Sequence, residues 1–149
     1  MNEITIEKLY EIYLRYPVIT TDSRKIEPGC MFFALKGDNF DGNAFANDAL
    51  AKGAMWVVTD NPEHSLTEHF TLVENTLDTL TQLAVLHRKK LTARVIGITG
   101  TNGKTTTKEL TANVLSTTFK TCYTKGNLNN HIGVPLTILA TPSDTEFLI

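Results

Sequence analysis

Val95-Ile96-Gly97-Ile98-Thr99-Gly100-Thr101-Asn102-Gly103-Lys104-Thr105-Thr106-Thr107 is the stretch on which the fold turns. Its β-branched residues, Val95, Ile96, Ile98 and Thr99, predict a strand covered on both faces, and the apolar spacing after Thr107 changes to that of a helix. Between strand and helix lie two glycines, Gly100 and Gly103. They allow a tight turn that gathers backbone N–H groups at the positive end of the following helix. Such a point favours an anion, and a phosphate above all. Lys104 adds a mobile cation for the outer phosphates, and the hydroxyl of Thr105 suits a magnesium shell. The strict phosphate-loop pattern asks for a further glycine where Ile98 stands, so only the half nearest the phosphates is present. The rival reading is a plain glycine turn with a solvated lysine at the helix start.

The rest of the chain sets the bounds. Its 149 residues suit one domain or two small ones, and 42% hydrophobic with 20% charged residues describes a globular composition. A net charge of −2 carries no electrostatic footprint for nucleic acid. The basic run His87-Arg88-Lys89-Lys90 reads as a solvated helix end, where cations offset the helix dipole. No stretch approaches the ~20 apolar residues that span a bilayer, and Glu3, Glu7 and Lys8 stand where a signal peptide is apolar. The expectation is a cytoplasmic protein without membrane or nucleic-acid partners. Cys30 and Cys122 lack metal-ligand spacing and read as ordinary thiols.

From the N-terminus, Thr5 predicts a cap for a helix over 6–15, which Pro17 stops. Residues 18–21 read as a short strand, Pro28-Gly29 as a turn and 31–35 as a buried strand. The polar stretch 36–43, with Gly37 and Gly42, is a candidate ligand loop, and Asn43 is expected to cap a helix that Gly53 ends. Strands follow at 55–59 and 70–73, then a helix from an Asn75 cap to about residue 90, with Leu77, Leu80, Leu83, Ala84 and Leu86 on its apolar face. Alternating strands and helices predict a small α/β domain over 1–92. The stretch 93–149 supplies the phosphate-loop strand, a helix over 105–117, a short strand at 122–124, a polar turn at 126–130, a helix with Pro135 in its first turn, and a strand opening at 146. A doubly wound nucleotide-binding domain needs five or six strands, so 93–149 reads as the incomplete start of one.

Several motifs resemble those of the Mur ligases, the ATP-dependent amide ligases that build the peptide of bacterial peptidoglycan. Thr21-Asp22-Ser23-Arg24, Pro28-Gly29, Phe33-Ala34-Leu35-Lys36-Gly37 and Asp41-Gly42 are similar to that family's N-terminal domain. Gly100 to Thr106 resembles the family's variant phosphate loop, which accounts for the missing glycine. The run Gly126-Asn127-Leu128-Asn129-Asn130-His131-Ile132-Gly133-Val134-Pro135-Leu136-Thr137 is similar to the form in the member that joins D-alanyl-D-alanine to UDP-N-acetylmuramoyl-tripeptide. The resemblance implies a uridine-nucleotide domain followed by a central ATPase domain, with ATP and Mg2+ as cofactors and a monomeric full-length enzyme. It implies that ATP phosphorylates the tripeptide carboxylate and that the amine attacks the resulting acyl phosphate.

The same resemblance distributes roles. Gly100, Thr101, Asn102, Gly103, Lys104, Thr105 and Thr106 would hold the phosphates, with Lys104 and Thr105 as catalytic residues and Thr105 or Thr106 on magnesium. Ser23, Arg24, Lys36, Gly37 and Asn43 would lie near the uridine diphosphate, and Asn127, Asn129 and Asn130 near sugar and diphosphate. Rival readings stand beside these. Asp22-Ser23 makes a turn with Arg24 in a surface ion pair, 37–43 is connection only, or Asn129 and Asn130 cap the next helix. His131 reads as a solvated or capping group. The implied magnesium-binding acid, modified lysine and amine-binding domain have no counterpart in the 149 residues, so the chain alone is expected to bind ligand weakly, to expose a sheet edge, and not to complete a ligation. Two alternatives remain: another Mur ligase, such as the enzyme adding the third residue, or a non-catalytic nucleotide-sugar or phosphate-binding module.

Overall fold

A computed structural model describes residues 4–37, 40–64, 68–126 and 128–149. The chain divides into two compact units, Met1–Leu86 and His87–Ile149. The division falls inside the helix Thr76–Lys90, a few residues before the boundary read from sequence.

The first unit opens on α1 (Ile6–Arg15), whose cap is the predicted one: the Thr5 side chain accepts the Lys8 amide at 3.4 Å. The helix buries Leu9, Tyr10 and Tyr13, and burial pushes the Tyr13 phenol up to about 12. Four parallel strands follow in the order β1 (Ile19–Thr20), β2 (Met31–Phe33), β5 (Trp56–Thr59) and β6 (Phe70–Leu72). Register pairs Phe32 with Val57 and Val58 with Thr71. Phe32 and Val57 share one face with Ala46 and Ala49 of α2 (Ala46–Ala51), while Met31, Phe33 and Val58 alternate to the other and are equally sealed. Burial on both faces is why β2 reads as an unbroken apolar run. Each fully buried phenylalanine contributes about 1.5–3 kcal/mol. Gly53, with φ +107, ends α2 through the left-handed turn that its position in the sequence predicts.

The stretch 36–43 differs from the expected loop. β3 (Lys36–Gly37) and β4 (Phe40–Asp41) pair antiparallel, and a 3₁₀ turn over Gly42–Phe45 leads into α2. Asp41, not Asn43, caps that turn, accepting the Asn43 amide at 2.9 Å. Asn43 is drawn inward instead because its carboxamide finds three partners in the interior. α3 (Thr76–Lys90) begins as predicted, with Asn75 Oδ1 accepting the amides of Leu77 and Asp78 at 2.9 Å each.

In the second unit β7 (Arg94–Val95), β9 (Phe147–Leu148) and β8 (Thr121–Cys122) form a parallel sheet in the order β7-β9-β8. Leu91, Ala93 and Leu148 make its core, with Cys122 and Ile138 against them. The predicted strand through Thr99 is shorter than its β-branched run. The Ile96 amide still donates to Leu148 O at 2.9 Å, one residue past the end of β7. Val95 is 52% exposed, so the cover expected on both faces is not in place.

α4 (Lys104–Leu115) and α5 (Gly133–Leu139) complete the unit, Pro135 lying in the first turn of α5 as predicted. The basic end of α3 is exposed at Lys89 and Lys90, as expected, but not at the two residues before them. His87 is buried, its Nε2 2.9 Å from Thr141 O, and Arg88 donates to the carbonyls of Leu91 and Ala93 at 3.1 and 3.2 Å. These groups close the chain onto its own next segment, a use that periodicity cannot reveal. Among the described residues no helix is long and apolar enough to cross a membrane.

Candidate functional site

Gly103 holds a left-handed conformation, φ +79, at the start of α4, and Gly100 has φ +146. Both lie where L side chains are strained, which is the physical demand that places glycine at these positions. No side chain caps α4, in contrast to α1 and α3. Its first intrahelical bond runs from Thr107 N to Gly103 O at 2.9 Å, which leaves the preceding amides free of any helical partner. Thr105 and Thr106 are exposed, and the Lys104 ammonium donates to Gly100 O. The loop thus presents a cation, two hydroxyls and the positive end of a 12-residue helix to one place.

That place borders an open cleft of about 510 Å³. Lys104 and Thr105 line it from the loop, Gly126 and Asn129 from the asparagine run, and Ile96 and Ile98 from the strand side. Asn130 takes the capping role that the sequence left open: its Oδ1 accepts the amides of Ile132 and Gly133 at 3.2 and 2.7 Å. Asn129 is exposed, and Asn127 lies outside the described residues. Sequence reading passed over Lys108, whose buried ammonium bonds the carbonyls of Thr124 and Gly126. Its signal was its spacing, four residues after Lys104 and so on the same helix face.

In the first unit Arg24 forms a fork on Asp22, Nε to Oδ1 and Nη2 to Oδ2 at 2.8 Å each. The Arg24 side chain, through those bonds, holds the Asp22 carboxyl well below the usual carboxylate range. The Arg24 side chain as a whole remains 86% exposed. Ser23 is buried, and its carbonyl accepts the Lys52 ammonium at 3.2 Å. Lys36 pairs loosely with Asp41 at 3.6 Å, and Gly37 is exposed beside it in β3. Asn43 is spent internally. Its Nδ2 donates to Asp41 at 2.8 Å and Asp60 at 2.6 Å, while its Oδ1 accepts the Thr59 hydroxyl at 2.6 Å.

Fold and site together define an α/β protein in which a glycine turn leads from a parallel sheet into an uncapped helix. The Mur ligase family, catalytic domain, matches residues 15–99, and the Mur ligase middle domain matches residues 98–149. The chain belongs to the Mur ligase family. A Bacillus subtilis protein named UDP-N-acetylmuramoyl-tripeptide--D-alanyl-D-alanine ligase is 44% identical to it over 88% of this chain and 29% of the relative. An Escherichia coli protein of the same name is 42% identical over 100% of this chain and 34% of the relative. The crystal structure of MurF ligase from Thermotoga maritima in complex with ADP aligns with TM-score 0.78 and 35% identity, over 91% of this chain and 31% of that one. The chain therefore spans about a third or less of the length of the relatives it matches.

Proposed function

We propose that this chain supplies the uridine-nucleotide domain and the phosphate loop of an ATP-dependent amide ligase that joins D-alanyl-D-alanine to UDP-N-acetylmuramoyl-tripeptide. The observation that carries the reading is the uncapped start of α4, with left-handed Gly103 and with Lys104 facing a cleft that Asn129 also lines. The names of the relatives support the substrate pair, and the ADP in the Thermotoga maritima structure supports the nucleotide. The domains on this reading are residues 1–92 for the nucleotide-sugar and 93–149 for the opening of the ATPase domain. The full-length enzyme is a cytoplasmic monomer.

The loop fits a nucleotide phosphate tail and a magnesium ion. Backbone amides from Gly100 to Thr106 would receive phosphate oxygens, and the hydroxyl of Thr105 or Thr106 would enter the metal shell. Lys104, resting on Gly100 O, exchanges a neutral carbonyl for a charged oxygen, a stronger partner. Bound ATP supplies the phosphoryl group that converts a carboxylate, a poor electrophile, into an activated acyl group. The chain's own contribution is to hold the reactants and neutralise charge. Arg24, Ser23, Lys36 and Gly37 would face the uridine diphosphate in the first unit, Asn43 acting from inside by holding β4. Asn127, Asn129 and Asn130 would serve the sugar-diphosphate end.

Calorimetric titration of the 149-residue chain tests this, first with UDP-N-acetylmuramoyl-tripeptide and then with magnesium ADP. Binding of the nucleotide-sugar, competed by uridine diphosphate and weakened by Arg24→Ala, is the expected result. Response to ADP alone in a folded chain would reduce the protein to a phosphate-loop module and overturn the assignment.

A further inference from the structure

Lys104 and Lys108 stand one turn apart on the same face of α4, yet their ammonium groups have different environments. Lys104 is partly exposed, and its bond goes to its own loop. Lys108 is 7% exposed, and its three N–H donors meet three acceptors: Thr124 O, Gly126 O at 2.8 Å and the Glu109 carboxylate at 3.0 Å. The Tyr123 ring lies 5.7 Å from the same nitrogen. An ammonium with every donor taken has none to offer a phosphate. Burying it is costly unless the partners are well placed, and here they are main-chain carbonyls on either side of Lys125.

The segment after those carbonyls is pinned a second time. Asn130 caps the start of α5, and a Cβ on Gly133 would stand 2.6–2.7 Å from the Leu128 backbone, so only glycine admits that contact. Between the two anchors Asn129 reaches the cleft wall, which it shares with Lys104 and Thr105. We propose that Lys108 is a positioning residue that clamps the entry of the asparagine run onto the phosphate-loop helix and thereby sets Asn129 against Lys104 for the sugar-diphosphate of the nucleotide substrate. The clamp deepens the ligase reading above and rests on it for the identity of that ligand.

The test uses the 149-residue chain with Lys108→Met, Lys108→Gln and Lys108→Arg. Amide hydrogen exchange by NMR reads the clamp without any ligand. In Lys108→Met the amides of Ile132 and Gly133 exchange about tenfold faster, while those of Thr107 and Ser116, which bond into the two ends of α4, stay within about threefold. Lys108→Gln, which keeps a donor and loses the charge, falls between, and Lys108→Arg restores the pattern. Titration then reads the consequence: Lys108→Met weakens UDP-N-acetylmuramoyl-tripeptide about tenfold and magnesium ADP by less than about threefold. Uniform acceleration across the second unit, or none, overturns the clamp; so does equal loss of both ligands. Should Lys108→Met fail to fold, the Gln and Arg variants decide by the same two readouts. Loop-restricted acceleration in Lys108→Met together with no response of the folded wild-type chain to the nucleotide-sugar overturns the substrate reading and leaves the clamp standing.

Discussion

Replacing Asn43 with alanine removes a side chain that ties β4, β5 and the residue after β5 together. Three hydrogen bonds go: two to the carboxylates of Asp41 and Asp60 and one from the fully buried Thr59 hydroxyl. A bond to a charged group is worth about 1.5–3 kcal/mol and a neutral one about 0.5–1.5 kcal/mol. The sum overstates the loss, because the Asp41 side chain is 45% exposed and water replaces part of what it loses. Thr59 Oγ also retains the Asn61 amide at 3.1 Å. A loss of about 2–4 kcal/mol remains, a large part of the roughly 5–15 kcal/mol typical of a folded domain. Trp56 is the chain's single tryptophan and sits in the same unit, its indole donating to Thr71 at 2.8 Å, so its fluorescence follows that unit alone. In urea the midpoint falls by about 2 M for a slope of roughly 1–1.5 kcal/mol/M, with the slope unchanged. Asn43→Asp is more severe near neutrality, since it sets a third carboxylate beside two others and removes both donors. The new carboxyl has a raised folded pKa, so its variant recovers stability as pH falls. A midpoint shift under about 0.5 M for Asn43→Ala, or an aspartate variant indifferent to pH, would refute the argument that this amide is a structural hub.

Other perturbations follow from single contacts. Gly133→Ala puts a methyl group 2.6 Å from Leu128 main-chain atoms and should cost the second unit about 1–3 kcal/mol, read as a lowered thermal midpoint by circular dichroism. Asn75→Ala strips the cap from α3 and lowers stability by about 1 kcal/mol, while Asn75→Asp, which keeps the acceptor, stays close to wild type in the same denaturation assay. Asp41, held low chiefly by the Asn43 backbone amide, and Asp144, held low chiefly by its Lys120 bond, have folded pKa values below the ordinary 3.8. Their stabilisation is complete above that value and is lost as pH falls through the depressed ones, so urea midpoints should drop on acidification below about pH 4. Tyr13 behaves oppositely: with its folded pKa raised to about 12 from 10.0, stability declines as pH rises through that interval, seen as an alkaline fall in midpoint.

What the sequence by itself determined is what neighbours within a turn or two decide. Thr5 and Asn75 cap their helices because a side-chain oxygen reaches an amide two or three residues on, and Gly53 and Gly103 adopt left-handed turns that their local positions require. The turn from β7 into α4 was legible for the same reason, since strand, glycines, lysine and helix are contiguous. Tertiary structure alone decided the partners that lie far along the chain. Asn43 was read as a cap and a ligand because its Thr59 partner is 16 residues away. His87 was read as part of a solvated helix end because Thr141, its partner, is 54 residues away. Lys108 went unread because the carbonyls it clamps belong to a turn 16 and 18 residues further on, main-chain atoms that carry no residue identity for a sequence to show.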